Sequence, residues 1–571
     1  MVSDAQGDQR TAYQPLRSLE SEPRRVWTAW RSPGRFTKNP DMVALPDGRL
    51  LAVYADIDQH WAEGMIRLTL IQSRDRGETW QGAGVIAESD RSKREPHWVT
   101  PRLSLLSDGR LAVLCDRDDY EHCHEYQAPG NYLWWSADLG RTWSQAINTG
   151  IPGIEPDRVV ELPGGRLAVG AHMTYAETQK LGQFVCLSDD GGTTWSAPIV
   201  IARDHVHSYC EGAITPLRNG SLVCVMRDNV HANYPSQVSF SYDNGLNWRA
   251  PVEAPFSGDR PFIGQLPDGR LLVTYRNQGG NRGTYAWRGD ISTDLGFQVS
   301  ALHQGPEEIS LSAEEGLHIR HAAPATTHYN LLPIESFRSE VLFEAQLRVS
   351  GLSGDGPAGG GLGGATEECA LVQIARVGAH LRIRPDGLWV GPAAASARLD
   401  RHWNADMTRW HTVRIHHQGG LLRYSLDDQE VIRNHVTFEA LPLLPNHHRT
   451  FFGTPPDSIG EVWWRHVTYD VRNPTEPDFH WAWSAAHSAY PDQYELDRIL
   501  ELHANTHERA DNGYSTWHQF EDGEILVLDY TNQGDPYGQS HVVACRLREE
   551  DFEKMGRRPA HTSAGTAPER A

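Results

Sequence analysis

The chain has 571 residues, with 53 lysines and arginines against 74 aspartates and glutamates, which gives a formal net charge of −21. An acidic protein repels phosphate backbones, so nucleic acid is not expected as a partner. No apolar run reaches about 18 residues, so the sequence predicts no membrane-spanning helix and no membrane partner. The 19 tryptophans and 52 glycines favour β-structure with many turns.

The first residues and the cysteines bear on the cellular compartment. Residues 1–8 have neither the basic nor the apolar segment of a secretory signal. The seven cysteines are scattered and lack a C-x-x-C pair, so neither a disulfide framework nor a zinc ribbon is expected. We therefore expect a cytoplasmic protein, or a secreted one whose leader has been removed, with no cofactor and no metal.

Six segments share a two-residue turn between short alternating apolar runs: 45–50, 106–111, 162–167, 217–222, 266–271 and 520–525. Asp-Gly, Asn-Gly and Gly-Gly pairs predict tight β-hairpins, because both turn residues need positive φ. The first five turns recur every 49 to 61 residues, whereas 254 residues separate Gly269 from Gly523. The chain therefore repeats one strand–turn–strand unit, with a long interruption before the last copy.

A second motif, S-x-D-x-G-x-T-W, follows several of these hairpins. It occurs at 73–80, 136–143 and 188–195, and more loosely at 241–248, where Asn247 replaces the threonine. The aspartate can accept backbone N–H groups, the glycine permits the bend and the tryptophan can pack between sheets. We interpret these aspartates as structural groups of a turn rather than as catalytic ones.

Repeats of about 50 residues with four short strands each predict a six-bladed β-propeller. With its aspartate motifs, the sequence resembles the sialidase (neuraminidase), or Asp-box (BNR repeat), superfamily. The resemblance covers roughly residues 25–302 and 476–550. It implies a glycoside hydrolase of carbohydrate metabolism, whose partner is a glycan or oligosaccharide substrate.

The long interruption predicts a second domain, since it exceeds one blade by about 200 residues. Many short alternating strands in this region favour a β-sandwich of jelly-roll type, similar to concanavalin and laminin-G-like lectin domains. Whether it binds sugar stays open. The expected all-β organisation is an N-terminal segment 1–24, blades one to five in 25–302, the sandwich in 303–475 between blades five and six, blade six in 476–550 and a disordered tail 551–571. The glycine-rich stretch 351–364 is expected to be a flexible loop.

The resemblance implies roles for Glu211, Arg227 and Tyr514. Tyr514 would be the nucleophile, Glu211 its base, and Arg227 a ligand of the substrate carboxylate. A tyrosine hydroxyl has a pKa near 10, so it needs such a base. Arginines bind carboxylates with two parallel hydrogen bonds. For a second arginine, Arg282 is preferred and Arg276 competes.

Blade one departs from the family pattern. Lys38 stands where the family has an arginine, which keeps the charge but loses the bidentate geometry. The family's acid/base aspartate lies on the following loop, where Asp58 and Glu63 both remain candidates. His60 and Arg158 complete the predicted substrate-binding residues. The predicted function is hydrolysis of a terminal acidic sugar, sialic acid or a related carboxylated sugar, from a glycan.

Two other functions remain open. Histidines 60, 97, 122 and 124 would also suit a propeller-type lyase that acts on a uronate-containing polysaccharide, since a lyase needs a carboxylate neutraliser and a base. A non-catalytic carbohydrate-binding protein is the third alternative. His122, His124 and Glu125 could share a metal if they lay on a strand. We favour a hydrogen-bonded loop cluster there.

Overall fold

The structure is a computed structural model that describes residues 2–3, 9–118, 130–230, 234–277, 281–305, 307–331, 335–351, 368–391, 401–436 and 450–556. It divides into two compact units. One comprises Leu16–Phe297 and Asp497–Arg558, and the other comprises Met1–Pro15, Gln298–Leu496 and Pro559–Ala571. The first unit carries all the predicted site residues and is described first.

The first unit is a ring of six antiparallel sheets, each built on four principal strands. Blade one contains Phe36–Ala44, Leu50–Ile57, Met65–Ser73 and Gln81–Asp90. Blade two contains Arg102–Leu105, Leu111–Asp118, Asn131–Ser136 and Ile147–Asn148, with His97–Trp98 beside them. Blade three contains Val160–Glu161, Leu167–Tyr175, Lys180–Ser188 and Ile199–Ala202. Blade four contains Tyr209–Pro216, Leu222–Asp228, Gln237–Ser241 and Val252–Glu253. Blade five contains Asp259–Gln265, Leu271–Asn277, Gly283–Gly289 and Ile499–Ala504. Blade six contains Asn512–Gln519, Ile525–Thr531, His541–Leu547 and Val26–Trp30. The predicted six-bladed all-β propeller is confirmed.

Two blades are completed by strands that are distant in sequence. Val26–Trp30 pairs with His541–Leu547 and closes the ring in blade six. Ile499–Ala504 pairs with Gly283–Gly289 as the outer strand of blade five, and the short strand Arg17–Ser18 lies parallel to it. The chain therefore leaves the propeller within blade five, which refines the expected insertion point between blades five and six.

The S-x-D-x-G-x-T-W motifs form the outer turns of blades one to four. Asp138 accepts hydrogen bonds from the backbone N–H and the hydroxyl of Thr142, at 2.9 and 2.6 Å. In the loosest copy, Asn247 replaces threonine and donates to Asp243 from its backbone and its side-chain amide. These aspartates are engaged within their own turns, in agreement with the structural interpretation.

The second unit is a large, nearly closed arrangement of sixteen antiparallel strands. The long strand Gly316–Leu331 belongs to two sheets, because its first half pairs with Glu307–Ser312 and its second half with Ser300–Gln304. The remaining strands are Val2–Ser3, Gln9–Ala12, Glu340–Ser350, Ala370–Ile374, Ala379–Arg384, Gly387–Val390, Arg401–Asn404, His411–Gln418, Leu421–Leu426, Gln429–His435, Thr450–Gly453, Ser458–Arg472 and Phe479–Ser484. An all-β insertion is confirmed, and its likeness to lectins stays a prediction.

Helices are few and short. The α-helices are Gln493–Arg498 and Asp551–Lys554, and the 3₁₀ turns are Leu19–Ser21, Arg91–Lys93, Ala375–Val377 and Ala485–His487. Within the described residues, no helix is long and apolar enough to cross a membrane. The six cysteines that the structure describes are buried. The glycine-rich stretch after Gly351 and the tail from residue 557 lie outside the described residues.

Candidate active site

A recurrent irregularity marks the first strand of several blades. The pairing register shifts after Lys38, Cys210, Asp259 and Gly513, which are equivalent points of blades one, four, five and six. A β-bulge of this kind re-aims a side chain and is common beside active sites. The residues at these bulges, together with Glu155 of blade three, have positive φ: Asn39 56°, Glu155 48°, Glu211 51°, Arg260 44° and Tyr514 61°.

The Tyr514 hydroxyl donates a 2.7 Å hydrogen bond to Oε1 of Glu155. Burial raises the pKa of Tyr514 well above its ordinary value, and the charges of Glu155 and Glu211 raise it further. Burial likewise raises the pKa of Glu155, with the nearby Glu211 charge as the second cause. A tyrosine in this setting is neutral at rest, with its proton acceptor already in contact.

Arg260 ties Tyr514 and Glu155 together. Its guanidinium donates to the carbonyl oxygens of Glu155 and Pro156 at 3.0 and 2.7 Å, and its carbon lies 4.9 Å from the centre of the Tyr514 ring. Its backbone N–H donates to Oε2 of Glu211 at 2.8 Å. Arg260 therefore fixes the backbone of one carboxylate, contacts the nucleophile candidate and satisfies the other carboxylate.

Glu211 belongs to an ion-pair chain with two arginines. Arg227 Nη1 donates to Glu211 Oε1 at 2.8 Å, and Arg227 Nε lies 2.9 Å from Oδ1 of Asp259. Oδ2 of the same Asp259 accepts from Arg276 Nη2 at 3.1 Å. Burial alone would raise the pKa of Glu211, but the charges of Arg227, Arg276 and Arg260 outweigh it and hold the pKa low.

The environments of Glu155 and Glu211 therefore push their pKa values in opposite directions. Two nearby carboxyls with separated pKa values divide the roles of proton carrier and permanent anion. Of the two, Glu155 is the one that contacts Tyr514. The sequence suggested Glu211 as the tyrosine's base. In the structure the Tyr514 hydroxyl contacts Glu155 instead, and the Glu211 carboxylate is held by Arg227 and the Arg260 backbone.

Lys38 contributes a buried cation on the blade-one side. Its Nζ donates to the carbonyl oxygen of His60 at 3.3 Å and lies 5.9 Å from the centre of the Trp61 ring. Burial lowers the pKa of Lys38, although the charges of Asp511 and Glu155 oppose this shift. Among the residues that the structure describes, Lys38 has no carboxylate within ion-pair distance. His60 itself is oriented by Asp511 at 2.6 Å.

Other predicted site residues lie elsewhere. The Asp58 carboxylate accepts backbone N–H groups of its own loop, from Gln59, Glu63 and Gly64. Glu63 is exposed, and so is Arg282. Of the two competing arginines, Arg276 reaches the ion-pair chain, and the sequence-based preference for Arg282 is not what the structure shows. The reason is strand position, since Arg276 lies within Leu271–Asn277 and Arg282 lies on the loop after it.

Arg158 lies beside Thr516 rather than beside Tyr514. It is paired with Asp41 and donates to the Met42 carbonyl and to Thr516 Oγ1 at 2.6 and 2.7 Å. Thr516 follows Tyr514 by two residues on the same strand, and a strand rises about 3.3 Å per residue. Arg158 and Asp157 line a cavity of about 330 Å³ whose lining does not include Tyr514 or Glu155. Arg158 thus has a structural ion pair rather than a place beside Tyr514.

Sequence reasoning missed Glu155 and Asp259, and it assigned no role to Arg260 or Asp118. One signal was available, since Asn39, Thr100, Glu155 and Arg260 each precede a proline near the start of a blade. Asp118, at the end of Leu111–Asp118, has a pKa raised to about 7 by burial and by the Asp116 charge. A carboxyl that keeps its proton near neutral pH is suited to act as an acid.

No set of three or more metal-ligating side chains occurs among the described residues. His122, His124 and Glu125 lie outside those residues. Two histidines near the site, His60 and His172, form hydrogen bonds. His172 Nδ1 accepts from the Glu211 backbone N–H at 3.2 Å, and burial lowers the pKa of this histidine to about 3.

Comparisons with known proteins agree with this architecture. Residues 122–292 match the family of BNR repeat-like domains. The chain is 24% identical over 281 residues to a sialidase of Paraclostridium sordellii, covering 46% of this chain and 56% of the relative. It is 25% identical over 235 residues to a sialidase of Clostridium perfringens, covering 34% of this chain and 58% of the relative. The matches thus span little more than half the length of these relatives.

Among solved structures, the chain is similar to Trypanosoma rangeli sialidase in complex with sialic acid. The TM-score is 0.33 at 12% identity, over 81% of this chain and 95% of that one. At this distance the sequence relatives support a glycosidase-like family without specifying a substrate.

Proposed function

Since the chain belongs to the superfamily of sialidase-like BNR-repeat proteins, we propose that it is a glycoside hydrolase that releases a terminal carboxylated sugar, sialic acid or a related acid, from a glycan. The observation that carries the proposal is the hydrogen bond from the Tyr514 hydroxyl to Glu155. It pairs a nucleophile with a base in a site that is also rich in cations.

In the first step, the Tyr514 oxygen forms a bond to the anomeric carbon while the bond to the leaving oxygen breaks. The tyrosine proton passes to Glu155, and an acid delivers a proton to the leaving oxygen. In the second step, water attacks the glycosyl–tyrosine, the acid's conjugate base takes a proton from that water, and Glu155 returns its proton to Tyr514. A base whose pKa is raised towards neutrality is well matched to this transfer.

A neutral nucleophile suits an anionic sugar, because a carboxylate nucleophile would repel the substrate's own carboxylate. The cations Lys38, Arg227 and Arg276 provide the opposite charge. Lys38 supports an acidic substrate most directly. Within the part of the chain that the structure describes, its buried ammonium donates only to a backbone carbonyl and so keeps hydrogen-bonding capacity for a ligand.

Three carboxyls are candidates for the acid: Asp58 and Glu63 from the sequence, and Asp118 from its raised pKa. They can be compared through Asp58→Asn, Glu63→Gln and Asp118→Asn, each measured with a good and a poor leaving group. Loss of the true acid reduces kcat strongly for the poor leaving group and little for the good one. A variant that slows both substrates equally has lost something other than the acid.

The test of the function is turnover of a fluorogenic sialoside beside a panel of uronate-capped glycans, with Tyr514→Phe as the diagnostic variant. Tyr242→Phe is the matched control, because Tyr242 is 66% exposed in an outer turn. Release of a hydrated sugar acid that is lost in Tyr514→Phe and kept in Tyr242→Phe supports the hydrolase. An unsaturated product would instead support a lyase, and binding without turnover a carbohydrate-binding protein.

A further inference from the structure

Asp259 lies between two arginines of the candidate site, Arg227 and Arg276. Its Oδ1 lies 2.9 Å from Arg227 Nε, and its Oδ2 accepts from Arg276 Nη2 at 3.1 Å. One carboxylate thus bridges two guanidinium groups, one oxygen to each. Arginines bind ligand carboxylates through the same guanidinium N–H groups, so a ligand carboxylate and Asp259 would use the same cations.

We propose that Asp259 competes with the sugar carboxylate for Arg227 and Arg276 and thereby sets how strongly the site prefers acidic over neutral sugars. This inference rests on the proposed function and concerns the same site. It assigns Asp259 as a specificity-determining residue that lowers the affinity for carboxylated ligands. Lys38, like Arg260, has no internal carboxylate within ion-pair distance among the described residues.

The charges around the arginines support competition. Arg227 is paired with both Glu211 and Asp259, and Arg276 is paired with Asp259. Two guanidinium charges are therefore matched by two carboxylates before any ligand arrives. An incoming carboxylate gains net attraction from this pair only if Asp259 gives up its place or loses its charge.

The hydrogen bonding between Asp259 and the two guanidinium groups is incomplete. Arg227 Nε and Arg276 Nε are buried, and neither donates a hydrogen bond to any residue that the structure describes. Asp259 therefore neutralises charge without satisfying every donor of the two guanidinium groups. The side chains of Asp259, Arg227 and Arg276 are 15%, 20% and 14% exposed, so solvent reaches all three. A partner that is reachable and imperfectly aligned is one that a ligand can displace.

The test measures direct binding, which does not depend on turnover. Wild type and Asp259→Asn are titrated calorimetrically with the sialic acid analogue DANA, with methyl glucuronide and with methyl glucoside. The last two ligands differ only in a carboxylate replaced by a hydroxymethyl group. Asp189→Asn is the matched control, since Asp189 is 72% exposed and pairs with Arg166 in an outer turn.

We expect the Kd of at least one carboxylated ligand to fall by about tenfold or more in Asp259→Asn, the change of a hydrogen-bonded charge contact. Affinity for methyl glucoside stays unchanged, and Asp189→Asn behaves as wild type. Equal affinity of wild type and Asp259→Asn for a carboxylated ligand that wild type binds or cleaves would overturn the inference alone. Absence of carboxylate binding in both proteins would overturn the inference and the proposed acidic substrate together.

A wild-type measurement keeps the inference testable if Asp259→Asn does not fold. Competition predicts that wild type prefers methyl glucuronide over methyl glucoside by less than about tenfold, despite its cluster of cations. A preference far above tenfold would contradict the role of Asp259. The carboxyl ¹³C resonance of Asp259 provides a second readout, because it should shift on binding of the glucuronide and not of the glucoside.

Discussion

Tyr514 and Glu155 are 359 residues apart in the chain, and the tyrosine hydroxyl lies 2.7 Å from the glutamate carboxyl. They come from blades six and three, so the contact exists only when the ring is complete. The charge of Glu211, in blade four, in turn raises the pKa of Glu155. The proton affinity of the base is thus set by three blades together, and this leads to the first prediction.

Glu211→Gln should move the acidic limb of the pH–rate profile to lower pH. Glu155 accepts a proton only when it is ionised, so activity falls as pH drops through its pKa. The Glu211 charge raises that pKa, and its removal lowers it. The measurement is kcat/KM against pH on the residual activity, supported by ¹³C titration of Glu155.

Glu155→Gln provides the reference for this experiment. It should lose activity by about 10²–10⁴-fold, as expected for a group that transfers a proton, and its residual activity should lack the acidic limb. An acidic limb of Glu211→Gln that stays in place or moves to higher pH would refute the assignment of the limb to Glu155.

Lys38→Met should weaken acidic sugars selectively. Loss of a hydrogen bond to a charged group corresponds to roughly 10- to 100-fold in KM, with a smaller effect on kcat and none on neutral ligands. Because burial lowers the pKa of Lys38, wild type should lose affinity at an alkaline pH below the usual lysine range. That alkaline rise of KM should be missing in the variant, and its persistence would show that another group titrates.

Asp41→Asn should destabilise the propeller severely. Asp41 is fully buried between Arg102 and Arg158, and removing one partner of a buried ion pair costs about 3–5 kcal/mol. Burial raises the pKa of Asp41, but the charges of Arg102 and Arg158 lower it below the ordinary value. Its contribution is therefore present above about pH 4 and is lost as pH falls through the lowered pKa. Urea unfolding at pH 7 and pH 3 measures both effects, with Asp189→Asn as an exposed control.

Ser136→Ala should reduce stability without changing catalysis. Ser136 Oγ is bonded to Asp138 at 2.8 Å and to the Gly140 N–H at 2.9 Å within an outer turn. Removing a buried hydrogen-bonded hydroxyl costs about 1–3 kcal/mol. Thermal unfolding should show the loss, while KM and the pH profile stay as in wild type. A change in the pH profile would mean that these turns influence the site.

The propeller was predictable because its signals are local. Each hairpin turn and each S-x-D-x-G-x-T-W box stabilises itself, as the bonds from Thr142 to Asp138 show. Six copies then leave few ways to bury the strands. The insertion point was harder to predict, since the outer strand Ile499–Ala504 returns to blade five from some 200 residues away.

The site was less predictable because its contacts are between blades. The resemblance supplied Tyr514 and Glu211, but which carboxyl meets the tyrosine depends on the closure of the ring. The choice between Arg276 and Arg282 depended on where a strand ends. Glu155 and Arg260 carried the repeated residue-before-proline pattern, which acquires meaning only once a bulge is seen there.

Five residues with positive φ, in or near the first strands of the blades, limit how far the propeller can be stabilised without losing activity. Asn39, Glu155, Glu211, Arg260 and Tyr514 each hold a conformation that glycine adopts freely and that costs other residues about 1–3 kcal/mol. Glycine at Glu155, Glu211, Arg260 or Tyr514 would relax the backbone and at the same time delete a side chain of the candidate site. Selecting variants for thermal stability alone would therefore favour a more stable but inactive propeller. Stabilising substitutions that keep activity have to be sought in the outer turns.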